Sequence, residues 1–336
     1  MKIAFFGSGP FGLPTLERLH ARSVQYPLLR VVTRPDRPQK RGRKLAATPI
    51  RKRAGELGVP CAAPESVNDP AFLDELLTLG ADLFLVADYG EMLRKRLRQL
   101  PKIGVFNLHA SLLPAYRGAA PVVHALFAGV KETGVTLFRI EKGLDSGPVV
   151  DAAPLAVEPF ETAGELEERL AHVAADLLER NLEAFATGSF QESPQDETAA
   201  TLAPKLTKRS GVIPWDKTAV EVTNFVRALS PWPGAFSFLE KSADPDATLE
   251  RTVFLRVKPA GESPQQVRQV SGAPRSGVPG AVDRVGSEGF SVCCGSGSVE
   301  VLEIQREGKG ALPAAAYLRG RRLEHGDRFA PAKDTP

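Results

Sequence analysis

Cysteine is scarce in this chain, with three in 336 residues. Cys61 stands alone and Cys293 adjoins Cys294, so neither a disulfide framework nor a metal-type spacing is present. Neighbouring residues on a strand point to opposite faces, and all three cysteines read as reduced, structural residues. No apolar run approaches the roughly 20 residues that cross a bilayer. The first strand starts at Lys2, which leaves no room ahead of it for a signal or transit segment and points to the cytosol. An excess of charge is also missing. The 43 Lys and Arg against 40 Asp and Glu leave a formal +3, so nucleic-acid binding does not follow from net charge and only its distribution can argue for it. No internal repeat is found. The remaining composition is that of a globular protein, and the length allows two domains.

What the chain does have is alternation of strand and helix signals. Lys2–Phe6, Leu28–Thr33, Ala81–Ala87, Gly104–His109 and Gly134–Ile140 read as buried strands. Helical patterns cover Asp69–Leu79, Glu91–Leu97, a stretch through Val122, Leu126 and Phe127, and Glu161–Ala186. Such alternation predicts a doubly wound, mostly parallel sheet with ligands at the carboxyl ends of the strands. The stretch Gly104–Pro114 is central. It begins apolar and turns polar at its end, with Asn107 and His109 on one face and Leu108 on the other. An amide beside an imidazole at a buried strand end suits carbonyl chemistry, although a lone strand-end histidine is ordinarily structural. Asp145, in the turn Lys142–Gly147, serves equally well as a turn-former.

Gly7-Ser8-Gly9-Pro10-Phe11-Gly12 matches the G-x-G-x-x-G form and would suggest a nicotinamide oxidoreductase, with Arg34 suited to NADP. Against it, Pro10 removes one N–H from a turn whose amides would have to cradle a pyrophosphate. From Arg34 to Arg53 nine basic residues face a single acid, Asp36. Pro35, Pro38 and Gly42 make the first part a loop, and Thr48-Pro49 reads as the N-cap of a helix reaching Leu57. A basic loop this long is either a solvated surface or a contact to a phosphate backbone.

After Gly188 the texture changes. Gln191–Thr201 reads as a surface linker. A helix at Ala219–Leu229 is followed by short strands at Ala235–Leu239, Thr252–Lys258, Gly280–Arg284, Phe290–Cys294 and Val299–Ile304, the signature of a small barrel or sandwich. Ser263–Pro279 is a polar loop, and Lys309, Arg319, Arg321, Arg322 and Arg328 form a second basic patch. The expected domains are residues 1–188, a linker at 189–207 and a second domain at 208–330.

Asn107-Leu108-His109-Ala110-Ser111-Leu112-Leu113-Pro114, then Tyr116–Pro121 and Gly143–Gly147, resembles the core of the folate-dependent formyltransferases. Arg34–Pro38 with its continuation through Lys44-Leu45, Lys205-Leu206, Trp215, Pro231–Gly234, Gly308–Gly310, Leu318–Leu323 and Gly326-Asp327 is similar to the branch of that family acting on methionyl-tRNA. The resemblance implies a Rossmann-like catalytic domain and an OB-like C-terminal barrel that helps hold tRNA. It also implies 10-formyltetrahydrofolate as formyl donor, initiator methionyl-tRNA as acceptor and no metal; a monomer is the default expectation, which the sequence itself does not indicate. It makes Asn107, His109 and Asp145 catalytic. It places the folate at Tyr89, Gly90, Ser111, Leu112, Leu113 and Pro114, and the tRNA at Arg37, Lys40, Arg41, Arg43 and Lys44.

Two positions depart from the family pattern. The first turn is usually Gly-Thr-Pro-like, which bears on the pocket for the methionyl side chain. Asp88 stands where a small residue usually precedes Tyr-Gly, near the expected pterin, and is either an altered hydrogen bond to that ligand or a solvent-exposed residue. Asn107 is assigned to the developing oxyanion. His109 either donates there or shuttles the amine proton to N10, and Asp145 orients His109 or accepts that proton through water. Three rivals remain: another formyl-folate transferase or hydrolase, the oxidoreductase, and a non-enzymatic RNA-binding module.

Overall fold

The computed structural model describes residues 1–38, 45–241, 249–261, 277–321, 323–324 and 327–330. The chain divides into two compact units. The first comprises Met1–Pro121, Glu132–Ala156 and Leu166–Lys205, and the second Val122–Lys131, Val157–Glu165 and Leu206–Pro336.

The first unit is built on nine strands: β1 (Ile3–Gly7), β2 (Leu28–Val32), β3 (Arg37–Pro38), β4 (Leu45–Ala46), β5 (Cys61–Ala62), β6 (Leu83–Ala87), β7 (Gly104–His109), β8 (Glu132–Arg139) and β9 (Val149–Ala156). Seven form one sheet in the order β5-β2-β1-β6-β7-β8-β9, while β3 and β4 make a separate two-stranded pair. The strands from β5 to β7 run parallel, and β8 and β9 are antiparallel additions. β1 and β6 are buried along their whole length, as strands covered on both faces must be. The helices are α1 (Leu13–Ala21), α2 (Pro49–Glu56), α3 (Pro70–Leu79), α4 (Lys95–Arg98), α5 (Pro121–Phe127) and α6 (Ala163–Thr187), the last two running across the unit boundaries. Capping fixes where they begin. Thr48 accepts the Arg51 N–H ahead of α2, and Asp69 accepts those of Ala71 and Phe72 ahead of α3. Phe106, Phe185 and Phe190 cluster on one another, and the Arg139 guanidinium lies 4.6 Å from the Phe106 ring centroid.

Two expectations need correction here, and one strand was missed. The helix expected at Glu91–Leu97 is only Lys95–Arg98. The Glu91 carboxylate is taken up by the Ser66 hydroxyl and Val67 N–H, and Asn68 bonds the Met92 carbonyl and the Arg94 N–H, so side chains rather than helical bonds satisfy this backbone. β9 carries small residues and Pro154, which hide the strand signal, and it lies at the sheet edge, where proline is tolerated. The basic loop is shortened by the pairing of Arg37 with Ala46 and Pro38 with Leu45.

In the second unit, α7 (Ala219–Ala228) is held by a reciprocal cap between Thr218 and Glu221. The strands are β10 (Ala235–Glu240), β11 (Glu250–Pro259), β12 (Val282–Val285), β13 (Phe290–Cys293), β14 (Ser298–Arg306), β15 (Ala311–Pro313) and β16 (Arg328–Ala330), with α8 (Ala314–Gly320) between the last two. All pair antiparallel in the order β12-β13-β14-β11-β10-β16, with β15 on β14. A bridge between Ala281 and Arg328 joins the two ends, so the sheet nearly closes into the expected barrel. β15, α8 and β16 were not foreseen. Cys293, the last residue of β13, and Cys294 after it are both buried.

Trp215 is buried in this unit. Its indole N–H donates to the Ser237 hydroxyl (3.1 Å), which donates to the Ala330 carbonyl (2.9 Å). Ser237→Ala orphans both buried groups and is expected to cost about 2 kcal/mol, read as an earlier denaturant midpoint of tryptophan fluorescence. No helix among the described residues is long and apolar enough to cross a membrane.

Candidate active site

β7 is an interior strand, so its backbone is fixed from both sides. Asn107 lies between Val86 of β6 and Phe138 of β8, and His109 is paired with Thr136. The Asn107 side chain is half-buried, and its amide makes no hydrogen bond among the described residues. It is therefore free to donate to a ligand. The His109 ring is buried, with Nε2 3.0 Å from the Tyr116 carbonyl oxygen. A carbonyl only accepts, so Nε2 carries the hydrogen and the neutral ring leaves its Nδ1 lone pair facing outward. That lone pair faces Asp145, whose Oδ2 is 3.8 Å away.

Asp145 is itself fixed. It follows β8 in a left-handed backbone conformation (φ +47°), and its Oδ2 accepts the Gly118 N–H at 2.8 Å. Only glycine serves at 118. Its φ is +128°, and a Cβ there would lie 2.5 Å from the Ala203 carbonyl oxygen. Behind this contact Arg117 donates to Gln195 and Glu197, and the Gln195 side-chain N–H groups hold the Asp145 and Gly147 carbonyls at 2.8 and 2.7 Å. Burial pulls the His109 pKa below its ordinary value, opposed by the Asp145 charge and the Tyr116 carbonyl. The imidazole is accordingly neutral at cellular pH.

The residues expected at the folate fall in two places. Ser111 is buried. Its hydroxyl donates to the Ala115 carbonyl (2.6 Å), while Thr136 binds the Ser111 carbonyl and the Leu113 N–H. Leu112 packs close to Gly134, and Pro114 follows Leu113 through a cis bond. Tyr89 and Gly90 instead follow β6 and line a cavity of about 320 Å³ with Ser8, Gly9, Arg34, Pro35, Ala46, Thr48 and Asp88. The Tyr89 ring is buried edge-on against Phe6, so its hydroxyl has no partner among the described residues. Of the basic residues expected at tRNA, Lys40, Arg41, Arg43 and Lys44 lie outside the described residues; Arg37 is in β3.

The dinucleotide reading fails on the first turn. The Ser8 and Gly9 N–H groups both donate to the Asp88 carbonyl (3.0 and 3.3 Å), and Pro10 has none, so the amides a pyrophosphate would need are already bonded. Sequence reasoning gave no roles to the Tyr116 carbonyl, the Gly118 N–H, Arg117, Gln195 or Glu197. The segment Tyr116–Gly118 was visible as part of a motif, but Gln195 and Glu197 sit in the stretch read as a linker.

Residues 1–182 match the family model described as Formyl transferase, and residues 205–322 that described as Formyl transferase, C-terminal domain. The methionyl-tRNA formyltransferase of Geobacter sulfurreducens is 38% identical over 332 residues, covering 99% of this chain and 98% of its own length. That of Chlamydia pneumoniae is 36% identical over 323 residues, 95% of each. Among solved structures, an N-formyltransferase from Helicobacter canadensis in complex with folinic acid and dTDP-3-aminofucose superposes with a TM-score of 0.63 at 16% identity, over 91% of this chain and 99% of its own. HypX from Aquifex aeolicus in complex with tetrahydrofolic acid gives 0.58 at 17% identity, over 95% of this chain and 47% of its own. The two superpositions speak to fold alone. With a family model over more than half its length and full-length relatives above 30% identity, the chain belongs to the formyl transferase family.

Proposed function

We propose that this chain transfers the formyl group of 10-formyltetrahydrofolate to the α-amine of methionyl initiator tRNA, acting as a cytoplasmic monomer. The observation that carries the chemistry is the pair of acceptors, His109 Nδ1 and Asp145 Oδ2, facing each other 3.8 Å apart. Two lone pairs so placed call for a shared donor, and an ammonium or amine is that donor. The neutral amine donates one N–H to the carboxylate and another to Nδ1, and its lone pair attacks the formyl carbon. Nδ1 takes the proton that the nitrogen sheds as the C–N bond forms, and the resulting imidazolium, paired with Asp145, returns that proton to N10 as the C–N10 bond breaks. The Nε2–H is engaged by Tyr116, so the developing formyl oxyanion falls to the Asn107 amide. The reading assigns Ser111–Pro114, Tyr89 and Gly90 to the folate side of the site. It assigns the catalytic chemistry to residues 1–188 and tRNA holding to the barrel after the 189–207 segment, with Arg37, Lys40, Arg41, Arg43 and Lys44 at the tRNA.

The test is incubation with 10-formyltetrahydrofolate and charged initiator tRNA. Formylmethionine is the expected product, and formate release without tRNA would instead mark a hydrolase. Neutralising Arg41, Arg43 and Lys44 together is expected to weaken tRNA binding and lower the slope of log K against log salt by about 2 for single-stranded contacts. An unchanged slope returns the segment to a solvated surface.

A further inference from the structure

The cavity at the ends of β1, β2 and β6 lies where the sheet changes direction. From β1 the chain goes to β2 on one side, and β6 flanks β1 on the other, a usual location for ligands in such sheets. Its walls include Pro35 and Ala46, the two stems of the basic segment, together with Tyr89 and Gly90, so a ligand held here adjoins the folate assigned to those two residues. Asp88 stands at its mouth with φ +49°, an uncommon conformation for a residue with a side chain. The carboxylate rests over Gly9, where any Cβ would collide with it, so a glycine leaves it room. It accepts no hydrogen bond among the described residues, and the Arg34 side chain forms no ion pair or hydrogen bond there either. The two feel each other's charge across the cavity without pairing. A complementary ligand carries a hydroxyl or amino donor next to an anion. A methionyl thioether offers neither, whereas a ribonucleotide offers both, and Pro35 and Ala46 on either side of the basic segment line the same cavity.

We propose that Asp88 and Arg34 form a subsite for the terminal ribonucleotide of the charged tRNA, Asp88 accepting the ribose hydroxyl left free beside the aminoacyl ester and Arg34 holding the phosphate. The inference rests on the acceptor assigned above. The groups facing Asp88 are Arg34 and Glu167 of α6. Although Asp88 is exposed at the surface, desolvation by the chain around it, partly offset by Arg34, pushes its carboxyl up to about 6, and burial together with the Asp88 charge does the same to half-buried Glu167. The accepting, ionised form is thus lost as pH falls through about 6, and the KM for tRNA is expected to rise there in the parent protein but not in Asp88→Ala.

The experiment compares methionyl-tRNA ending in a ribose with one ending in a 2′-deoxyribose esterified at O3′. The parent protein is expected to show a KM roughly tenfold higher for the deoxy acceptor. Asp88→Ala is expected to raise the KM for the ribo acceptor by a similar factor and to treat the two acceptors alike. Asp88→Asn, which keeps an accepting oxygen, should recover part of the preference, with thermal melting as the check on folding. Arg34→Gln is expected to weaken both acceptors equally and reduce the salt slope by about 1. A ribo-to-deoxy ratio in Asp88→Ala equal to the parent's overturns the inference while leaving the formylation reading standing, as does a change in aminoacyl preference alone. No formylmethionine from the parent protein with either acceptor removes the formylation reading itself, and this subsite with it.

Discussion

Replacing His109 with alanine is expected to lower kcat for formyl transfer by roughly 10²–10⁴, the usual worth of a positioned proton acceptor. The KM for 10-formyltetrahydrofolate should change far less, because the ring is assigned to the amine and not to the pterin. Single-turnover formylation of methionyl-tRNA is the measurement. The ring is buried, so its removal leaves a cavity. His109→Gln, which fills more of that space and keeps an N–H for the Tyr116 carbonyl, separates lost chemistry from lost packing. A catalytic role predicts that both variants fail alike. A packing role predicts that glutamine restores the rate.

The pH profile sharpens this expectation. The His109 pKa is lowered first by burial, against the opposing pull of the Asp145 carboxylate and the Tyr116 carbonyl. A base acts only when unprotonated, so the rate is full above the lowered pKa and declines as pH falls through it. The acceptor amine sets a second, higher limb, since a model α-amine titrates near 8 and the ester lowers that. His109→Ala should erase the lower limb and keep the upper one. The same shift acts on stability. The unfolded imidazole binds its proton near 6.5 while the folded one resists it, so this group contributes stability above that value and loses it as pH falls.

Where side chains alone carried the signal, the sequence was readable. β1 and β6 are apolar runs that burial on both faces demands, β2 and β7 are apolar over most of their length, and Thr48-Pro49 announces its helix by chemistry that needs no partner from elsewhere. The five strands expected in the second unit are all present, two of them one or more residues longer at each end. β9 escaped because an edge strand can be written in alanines and a proline. The Glu91–Leu97 stretch misled because its helical pattern lost to bonds from Ser66, Val67 and Asn68. The site divides in the same way. Asn107, His109 and Asp145 were picked out by motif, and the fold brings the latter two to 3.8 Å across β7 and β8. The Tyr116 carbonyl and the Gly118 N–H are backbone groups that every residue owns, so no residue name reveals them. Gln195 reaches Asp145 from 50 positions away, and composition describes its surroundings only as polar.

Asn107→Ala is expected to reduce kcat by about 10²–10³ with little change in either KM, because a donor aimed at developing charge acts mainly in the transition state. Its amide is well placed for this. Ladders to Val86 and Phe138 fix the backbone, and no intramolecular bond competes for the side chain among the described residues. Nothing has to reorganise as charge accumulates. Asn107→Asp makes the stronger test, since its shape is nearly the same but its sign is reversed. A carboxylate aimed at the formyl oxygen opposes the oxyanion instead of stabilising it, so this variant should be slower than alanine at pH 7. Its rate should recover as pH falls and the new carboxyl protonates to become a donor, although the His109 limb falls in the same direction and narrows the window. If the order is reversed, with aspartate faster than alanine at pH 7, the residue is a filler of space and the oxyanion is stabilised from elsewhere.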